Sequence, residues 1–211
     1  MEQFDRKKHW ENIYETKSLN EVSWYQPTPE TSLEFITNVN LPRDAKIIDI
    51  GGGDSFLVDH LLELGYSNVS VLDISEKAIE RAKQRLGEKE AKVTWIVSDI
   101  CEFQTAEKYD FWHDRAAFHF LTKDSDIQNY LEKVGRFISE KGLLVIGTFS
   151  ETGPLKCSGI EIKQYSMDDL KNVFSEDFEC LNCFKTDHKT PFDAIQSFTF
   201  CLFKKKFIQR N

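Results

Sequence analysis

Residues 47–57 read IIDIGGGDSFL, an apolar run that is followed by three glycines. The apolar run is typical of a parallel strand with both faces covered. Glycines directly after such a strand let the backbone approach a ligand closely. Phe56 stands where a dinucleotide-binding fingerprint, G-x-G-x-x-G, has its third glycine. The stretch therefore predicts a strand, a ligand-binding turn and a helix, but not a dinucleotide site.

Strand and helix patterns alternate after this turn. The sequence predicts strands at 45–50, 69–73, 92–97, 109–112 and 143–149, and helices at 54–65, 74–87, 126–138 and 166–174, with Ser75 and Ser166 as caps. Such alternation predicts parallel strands with right-handed crossovers. The last two predicted strands, near 179–185 and 196–204, are close in sequence and should pair antiparallel. We expect an α/β fold with a seven-stranded, mostly parallel sheet, one antiparallel strand, and helices on both faces.

Two helical patterns precede the first strand, over 5–17 and 28–39. Thr28 is the expected cap of the second helix, and Pro29 suits its first position. We interpret residues 1–40 as an N-terminal helical lid and residues 41–211 as the main domain.

Charge and composition exclude several classes of partner. The net charge is −8 at pH 7, which disfavours nucleic acid. No apolar stretch approaches the ~20 residues that span a bilayer, and the charged start lacks a signal-peptide core. We therefore expect a cytoplasmic protein with no membrane partner; nothing in the sequence indicates its oligomeric state.

The five cysteines are expected to be reduced, and Cys180-x-x-Cys183 to be buried strand cysteines without a metal.

Acidic residues end three consecutive predicted strands. Asp49 precedes the glycines, where a carboxylate would repel a pyrophosphate and attract an ammonium group. Asp73 ends the second strand and is placed to accept hydrogen bonds from ribose hydroxyls. Asp99 follows the third strand and could accept from an exocyclic amine of adenine. An amino acid, a ribose and an adenine are the parts of S-adenosylmethionine, a methyl donor.

These motifs resemble the class I S-adenosylmethionine-dependent methyltransferases, a Rossmann-like family, over nearly the whole chain. IIDIGGGDSFL resembles the glycine loop of that family, VLDIS its ribose-binding strand end, and VSDI its adenine site. The resemblance implies methyl transfer by in-line displacement. Together with the strand-end acids it gives a predicted cofactor site of Asp49, Gly51, Gly52, Gly53, Ser55, Asp73, Ile74, Ser98, Asp99 and Ile100.

Two subgroups share further segments with this chain. Residues 10–26, WENIYETKSLNEVSWYQ, resemble the elongation-factor lysine methyltransferases, which usually carry Asp-Lys-Gly after the fourth strand, where this chain has HDRAAFHFL. WHDRAAFHFL, GPLKCSG and HKTPFDAIQSF resemble a group of small bacterial methyltransferases. We expect a small-molecule acceptor. A protein (lysine) methyltransferase and a non-catalytic cofactor-binding module are the alternatives.

Side chains near the expected acceptor site have two interpretations each. Trp24 and Tyr25 could cover the sulfonium of the cofactor or plug the sheet edge. Asp114 and Arg115 could contact the methionine end or the substrate, or form a loop salt bridge.

Three further residues complete the prediction. His119 could be a general base, or a plain core or surface residue, and together with Asp114 it makes up the predicted catalytic set. Cys157, in the long loop after the fifth strand, and His188, between the last two strands, could contact substrate together with Trp24, or simply form turns.

Overall fold

The structure is a computed structural model, and it describes residues 4–207 of the chain. It is built on a seven-stranded sheet with the order β3-β2-β1-β4-β5-β9-β8. The strands are β1 (Lys46–Ile50), β2 (Asn68–Asp73), β3 (Val93–Val97), β4 (Tyr109–Arg115), β5 (Ile138–Phe149), β8 (Phe178–Lys189) and β9 (Ile195–Lys205). β1 to β5 pair in parallel, and β9 lies antiparallel between β5 and β8. The predicted fold, with one reversed strand, is confirmed.

The long loop after β5 contains a small hairpin of two strands, β6 (Lys156–Cys157) and β7 (Ile160–Glu161). Six α-helices accompany the sheet among the described residues: α1 (Arg6–Thr16), α2 (Glu30–Asn38), α3 (Leu57–Glu63), α4 (Glu76–Leu86), α5 (Asp124–Phe137) and α6 (Met167–Phe174). No helix in the described part of the chain has the length and apolar character needed to cross a membrane.

Helix starts follow their capping chemistry. The hydroxyl of Ser75 accepts from the amide of Ala78, and that of Ser166 accepts from the amide of Asp169, as predicted. The predicted start of α2 is wrong by one residue. Pro29 is the N-cap, with φ −79° and ψ 70°, so the helix begins at Glu30 and Thr28 does not cap it.

The two faces of the sheet pack against different helices. On one face, α5 and α6 cover a core that contains Trp112, Tyr130 and Phe174. On the other, α2, α3 and α4 cover a core that contains Ile47 and Leu61. Neighbouring residues of β1 alternate between these cores, as expected when both faces of a strand are buried.

Strand β4 is longer than predicted. It continues past Trp112 through Arg115, because His113 and Asp114 stand opposite Asp49 and Ile50 of β1. These residues therefore belong to a strand and not to a loop. Side chains of a strand alternate between its two faces, so His113 and Arg115 share one face and Asp114 lies on the other.

The expectation that all cysteines are reduced is wrong for one pair. Cys183 of β8 and Cys201 of β9 form a disulfide. They are direct cross-strand partners, with their Cα atoms 4.1 Å apart. A register shift at Leu181 also brings Cys180 to the same face, so that the three sulfur atoms lie within 4.8 Å of one another. Cys101, Cys157 and Cys180 are free thiols.

The N-terminal segment, defined here as residues 4–40, lies against the main domain through reciprocal contacts between α1 and α4. The Glu11 carboxylate of α1 accepts hydrogen bonds from the Ser75 hydroxyl (3.0 Å) and from the amides of Glu76 (2.8 Å) and Lys77 (3.2 Å), at the start of α4. In return, the Arg81 guanidinium of α4 donates to two carbonyls at the end of α1, those of Tyr14 and Lys17. Of the ranges predicted as lid and main domain, residues 1–3 and 208–211 lie outside the described residues.

Candidate active site

The main pocket lies at the carboxyl ends of β1 to β4. Ligands of open α/β sheets bind at this edge, where the strand order reverses. The N-terminal segment forms the wall opposite the sheet. Many residues predicted for the site line this pocket: Trp24, Tyr25, Asp49, Gly51, Gly52, Ser55, Asp73, Ile74, Ser98, Asp99, Ile100, Arg115 and Cys157. The long-range fold thus brings together residues that lie up to 133 positions apart, from Trp24 to Cys157.

The turn after β1 requires glycine for two different reasons. Gly51 has a φ of +64°, in the left-handed region that side chains rarely adopt. At Gly52 the reason is crowding, because a Cβ there would lie 2.6 Å from Oδ2 of Asp49 and 2.8 Å from Cγ1 of Val71. Gly53 does not line the pocket, and a Cβ there would lie 2.5 Å from the Tyr14 hydroxyl and 3.1 Å from Oδ2 of Asp73. At Gly51 and Gly52 the turn therefore presents backbone, and no side chain, to the pocket.

Asp73 is a buried carboxylate at the end of β2. Its Oδ1 accepts a hydrogen bond from the amide of Ser75 at 2.8 Å. Burial raises the pKa of Asp73 to about 7; the Ser75 amide opposes this rise, and the nearby carboxylates of Asp54 and Asp49 add to it. The group therefore changes its charge near neutral pH, which is a property common in binding sites.

Asp99 forms an ion pair at the edge of the pocket after β3. Its Oδ2 lies 3.2 Å from the Arg6 guanidinium of α1, and its Oδ1 accepts from the amide of Cys101 at 2.8 Å. Arg6 also pairs with Asp126 of α5 at 3.3 Å. One of the cations of the pocket is thus already neutralised by two carboxylates.

Asp49 belongs to a buried chain of hydrogen bonds that the sequence did not indicate. Its Oδ1 lies 2.7 Å from Nδ1 of His113, and Nε2 of His113 lies 2.9 Å from the Ser32 hydroxyl of α2. All three residues are buried and line the pocket. His113 was missed because β4 was predicted to end at Trp112. Extending the strand pattern would have put His113 and Arg115 on the face of the pocket.

The two residues predicted as catalytic lie outside the pocket. Asp114 points to the opposite face of the sheet, where its carboxylate accepts from the amides of Ala117 (2.9 Å) and Phe118 (3.0 Å) and from the Tyr130 hydroxyl (2.7 Å). Burial raises the pKa of Asp114 to about 6, and these hydrogen bonds oppose the rise. The geometry therefore corrects the interpretation of Asp114 as a catalytic or cofactor-binding residue to a structural one.

His119 is also structural. It is fully buried, its Nδ1 accepts from the amide of Phe149 at 3.3 Å, and its ring packs against Phe120 and Phe149. Burial lowers the pKa of His119 to about 3, and the charge of Arg115 adds to this effect. The ring does not line the pocket, so the alternative interpretation as a core histidine describes it.

Aromatic rings of the N-terminal segment form the wall over the pocket. Trp10 packs edge-to-face against Trp24 at 5.7 Å and against Phe120 at 5.1 Å, and Tyr25 packs against Phe56 at 6.0 Å. These rings pack against one another and also line the pocket, so their positions agree both with covering a ligand and with plugging the sheet edge.

His188, predicted as a substrate residue, instead holds this wall in place. Its Nε2 lies 2.6 Å from the carbonyl of Ser23, and its Nδ1 lies 3.2 Å from the side-chain amide of Gln26. His188 does not line the main pocket, whereas Cys157 does. Burial raises the pKa of the Cys157 thiol to about 11, so this thiol is neutral at physiological pH.

Comparison with known proteins gives a family match over most of the chain. Residues 41–201 match the profile of a family described as a methyltransferase domain. Among similar proteins is a malonyl-[acyl-carrier protein] O-methyltransferase 2 of Ilyobacter polytropus, 26% identical over 163 residues, which are 72% of this chain and 61% of that protein.

Two further relatives differ in the acceptors that their names give. A malonyl-[acyl-carrier protein] O-methyltransferase of Anoxybacillus flavithermus is 35% identical over 107 residues, 50% of this chain and 39% of that protein. EEF1A lysine methyltransferase 2 of Homo sapiens is 22% identical over 191 residues, 83% of this chain and 75% of that protein. The chain spans less than two thirds of the length of either malonyl-[acyl-carrier protein] methyltransferase.

Solved structures share the fold at low sequence identity. The N-methyltransferase NodS of Bradyrhizobium japonicum, in complex with S-adenosylhomocysteine, superposes with a TM-score of 0.71 at 15% identity, covering 95% of this chain and 99% of that one. A 1,6-didemethyltoxoflavin-N1-methyltransferase of Burkholderia thailandensis, with S-adenosylhomocysteine bound, has a TM-score of 0.74 at 17% identity, covering 95% and 87%.

Proposed function

The chain belongs to the methyltransferase domain family and is an S-adenosylmethionine-dependent methyltransferase, and from this premise we propose that it methylates a small molecule.

The donor groups of the pocket fit the cofactor. Gly51 and Gly52 line the pocket and carry no side chain, so a ligand could lie directly against the backbone of the turn. Asp73 is buried and accepts hydrogen bonds from the backbone amides of Ser75 and Gly53, and its carboxylate would also accept from the ribose hydroxyls. Asp99 would accept from the adenine amine. Asp49, with Oδ1 engaged by His113, would offer Oδ2 to the ammonium group of the methionine end.

S-adenosylmethionine supplies a methyl group on a positively charged sulfur, which a nucleophile displaces in line. The protein then contributes alignment and the exclusion of water. The rings of Trp10, Trp24 and Tyr25 suit this task, since an aromatic face near a cation is favourable by about 0.5–2 kcal/mol. We propose that residues 1–40 act as a lid that supplies these rings.

The observation that carries the small-molecule proposal is the anchoring of the N-terminal segment over the pocket. Glu11 binds the start of α4, Arg81 binds the end of α1, and His188 binds Ser23 and Gln26 at the far side of the pocket. A segment held at residues 11, 17, 23 and 26 covers part of the pocket and restricts how a folded protein could present a side chain. A small acceptor can enter such a site after a modest local opening.

Labelled-methyl transfer tests the proposal directly. Purified protein is incubated with S-adenosylmethionine that carries a labelled methyl group and with a cell extract separated by size into small molecules and macromolecules. We expect label in the small-molecule fraction, and we expect the Asp73→Asn variant to lose that activity. Label in protein alone, retained after denaturation, would overturn the proposal.

A protein acceptor is the second candidate, because the similarity to EEF1A lysine methyltransferase 2 covers 83% of this chain. The same experiment distinguishes the two. Under this alternative, label enters a protein band and is recovered as methylated lysine after hydrolysis, and an opened N-terminal segment increases the rate.

A further inference from the structure

Arg115 is a pocket cation without an anionic partner. Among the described residues no carboxylate lies within ion-pair distance of its guanidinium, which donates one long hydrogen bond, at 3.3 Å, to the carbonyl of Trp24. A second nitrogen of the guanidinium is buried and has no hydrogen-bond partner. Arg6, the other cation of the pocket lining, is paired with Asp99 and Asp126.

Arg115 is half-buried, and a charged group with a buried, unpaired donor is costly unless a ligand completes it. Burial lowers the pKa of Arg115 to about 10, and the neighbouring Asp49 and Cys157 oppose this shift. The guanidinium therefore remains charged at neutral pH. Asp49 forms no ion pair with this guanidinium, and Oδ1 of that carboxylate lies 2.7 Å from Nδ1 of His113 instead.

The direction of the side chain separates it from the groups proposed for the ribose and adenine. Asp73 and Asp99 follow β2 and β3, on one half of the sheet. Arg115 ends β4 and extends toward the other half, since its guanidinium carbon lies 5.1 Å from the ring centre of Phe198 on β9. It also borders a small neighbouring pocket that Gln26 and His188 line. The unused donors are therefore on the side of the site where an acceptor would lie.

We propose that Arg115 binds a carboxylate group of a small anionic acceptor. This inference rests on the proposed function, whose acceptor class it narrows. A planar guanidinium matches a carboxylate with two parallel hydrogen bonds. A single unpaired cation fits one carboxylate better than a doubly charged phosphate. The surroundings, which include Trp24, Ala116 and Phe120, are apolar and would contact the uncharged part of that acceptor.

Paired ligands test this inference without using turnover. A panel of small carboxylic acids, each matched with its primary amide, is added to the protein saturated with S-adenosylhomocysteine, and binding is measured by thermal shift and calorimetry. We expect a subset of acids to bind at least about tenfold more tightly than their amides, as charge-assisted hydrogen bonds require. We expect Arg115→Gln to abolish this preference, and Arg115→Lys to retain part of it.

Arg43→Gln is the matched control, because Arg43 lies outside the pocket, over the ring of Tyr66. This variant should keep the preference for acids. The affinity of S-adenosylhomocysteine itself is measured in every variant, which also verifies that each one folds. A tenfold or greater loss of that affinity in Arg115→Gln would overturn the inference, since Arg115 would then bind the methionine carboxylate.

The absence of any acid-over-amide preference in the wild type would also overturn it. The outcome is separable from that of the methyl-transfer assay. If label enters protein alone while acids still bind through Arg115, the small-molecule proposal fails and the carboxylate site stands.

Discussion

Nδ1 of His113 lies 2.7 Å from Oδ1 of Asp49, across two adjacent parallel strands whose ends form the floor of the pocket. The same imidazole reaches the Ser32 hydroxyl on α2 with its other nitrogen. The contact therefore joins the sheet to the N-terminal segment. It also fixes the orientation of Asp49, which leaves Oδ2 of that carboxylate toward the glycine turn.

Replacing His113 with Ala should destabilise the fold. The change leaves Asp49 and Ser32, both buried, without their partner and creates a cavity. We expect the free energy of unfolding to fall by roughly 2–4 kcal/mol, measured by urea denaturation. His60→Ala, at a histidine whose side chain is 27% exposed, should cost much less. Equal losses in the two variants would contradict a special role for the buried contact.

Binding of S-adenosylhomocysteine should strengthen as the pH rises from 6 to 8. Burial raises the pKa of Asp73 to about 7, so the carboxylate is increasingly protonated below that pH and accepts hydrogen bonds poorly. If only the ionised form binds the ribose, the affinity falls by up to about tenfold per pH unit below the pKa. Calorimetry in buffers of equal ionic strength measures this slope.

Two variants identify the group responsible for that slope. Asp73→Asn should bind weakly and with no pH dependence in this range. Asp44→Asn, at an exposed aspartate outside the pocket, should retain the wild-type profile. A slope that persists in Asp73→Asn would assign the titration to other nearby groups, such as Asp54, whose pKa burial also raises.

The strand-end acids could be predicted because parallel strands present their carboxyl ends at one edge of a sheet. Asp49, Asp73 and Asp99 needed only the strand pattern to be placed together. The prediction for Asp114 was wrong because the strand was predicted to end too early, at Trp112. The alternation of side chains along β4, which separates Asp114 from His113 and Arg115, was therefore not applied. Adjacent residues of a strand point to opposite faces of the sheet, so an error of one residue assigns a side chain to the wrong face.

Contacts between distant parts of the chain could not be predicted from local sequence patterns. Nothing near Glu11 indicates that its carboxylate meets Ser75, which is 64 residues away. The role of His188 likewise depends on a contact with Ser23, 165 residues away. The Cys183–Cys201 bond required the exact register of β8 and β9, which a one-residue bulge at Leu181 sets.

Glu11→Ala should loosen α1 on the main domain. Its carboxylate accepts hydrogen bonds at the start of α4, an interaction worth about 0.5–2 kcal/mol in comparable caps. We expect faster amide hydrogen exchange across residues 6–16 and weaker binding of S-adenosylhomocysteine, with little change in the central strands.

Glu15→Ala is the control on the same helix. Glu15 pairs with Lys77 at 2.9 Å, but its side chain is 60% exposed, and such surface pairs contribute little. Its exchange profile should match that of the wild type. Identical profiles for all three proteins would contradict the anchoring of the N-terminal segment through Glu11.

The disulfide predicts the number of thiols that react in denatured protein. Without a reductant, three of the five cysteines are free: Cys101, Cys157 and Cys180. Three thiols per chain should therefore react with an aromatic disulfide reagent in denaturant. Five should react after the protein has been reduced. Cys183→Ser should give four in either case, because Cys201 loses its partner. Five reactive thiols in protein purified without reductant would show that the pair is reduced, as the composition alone indicates.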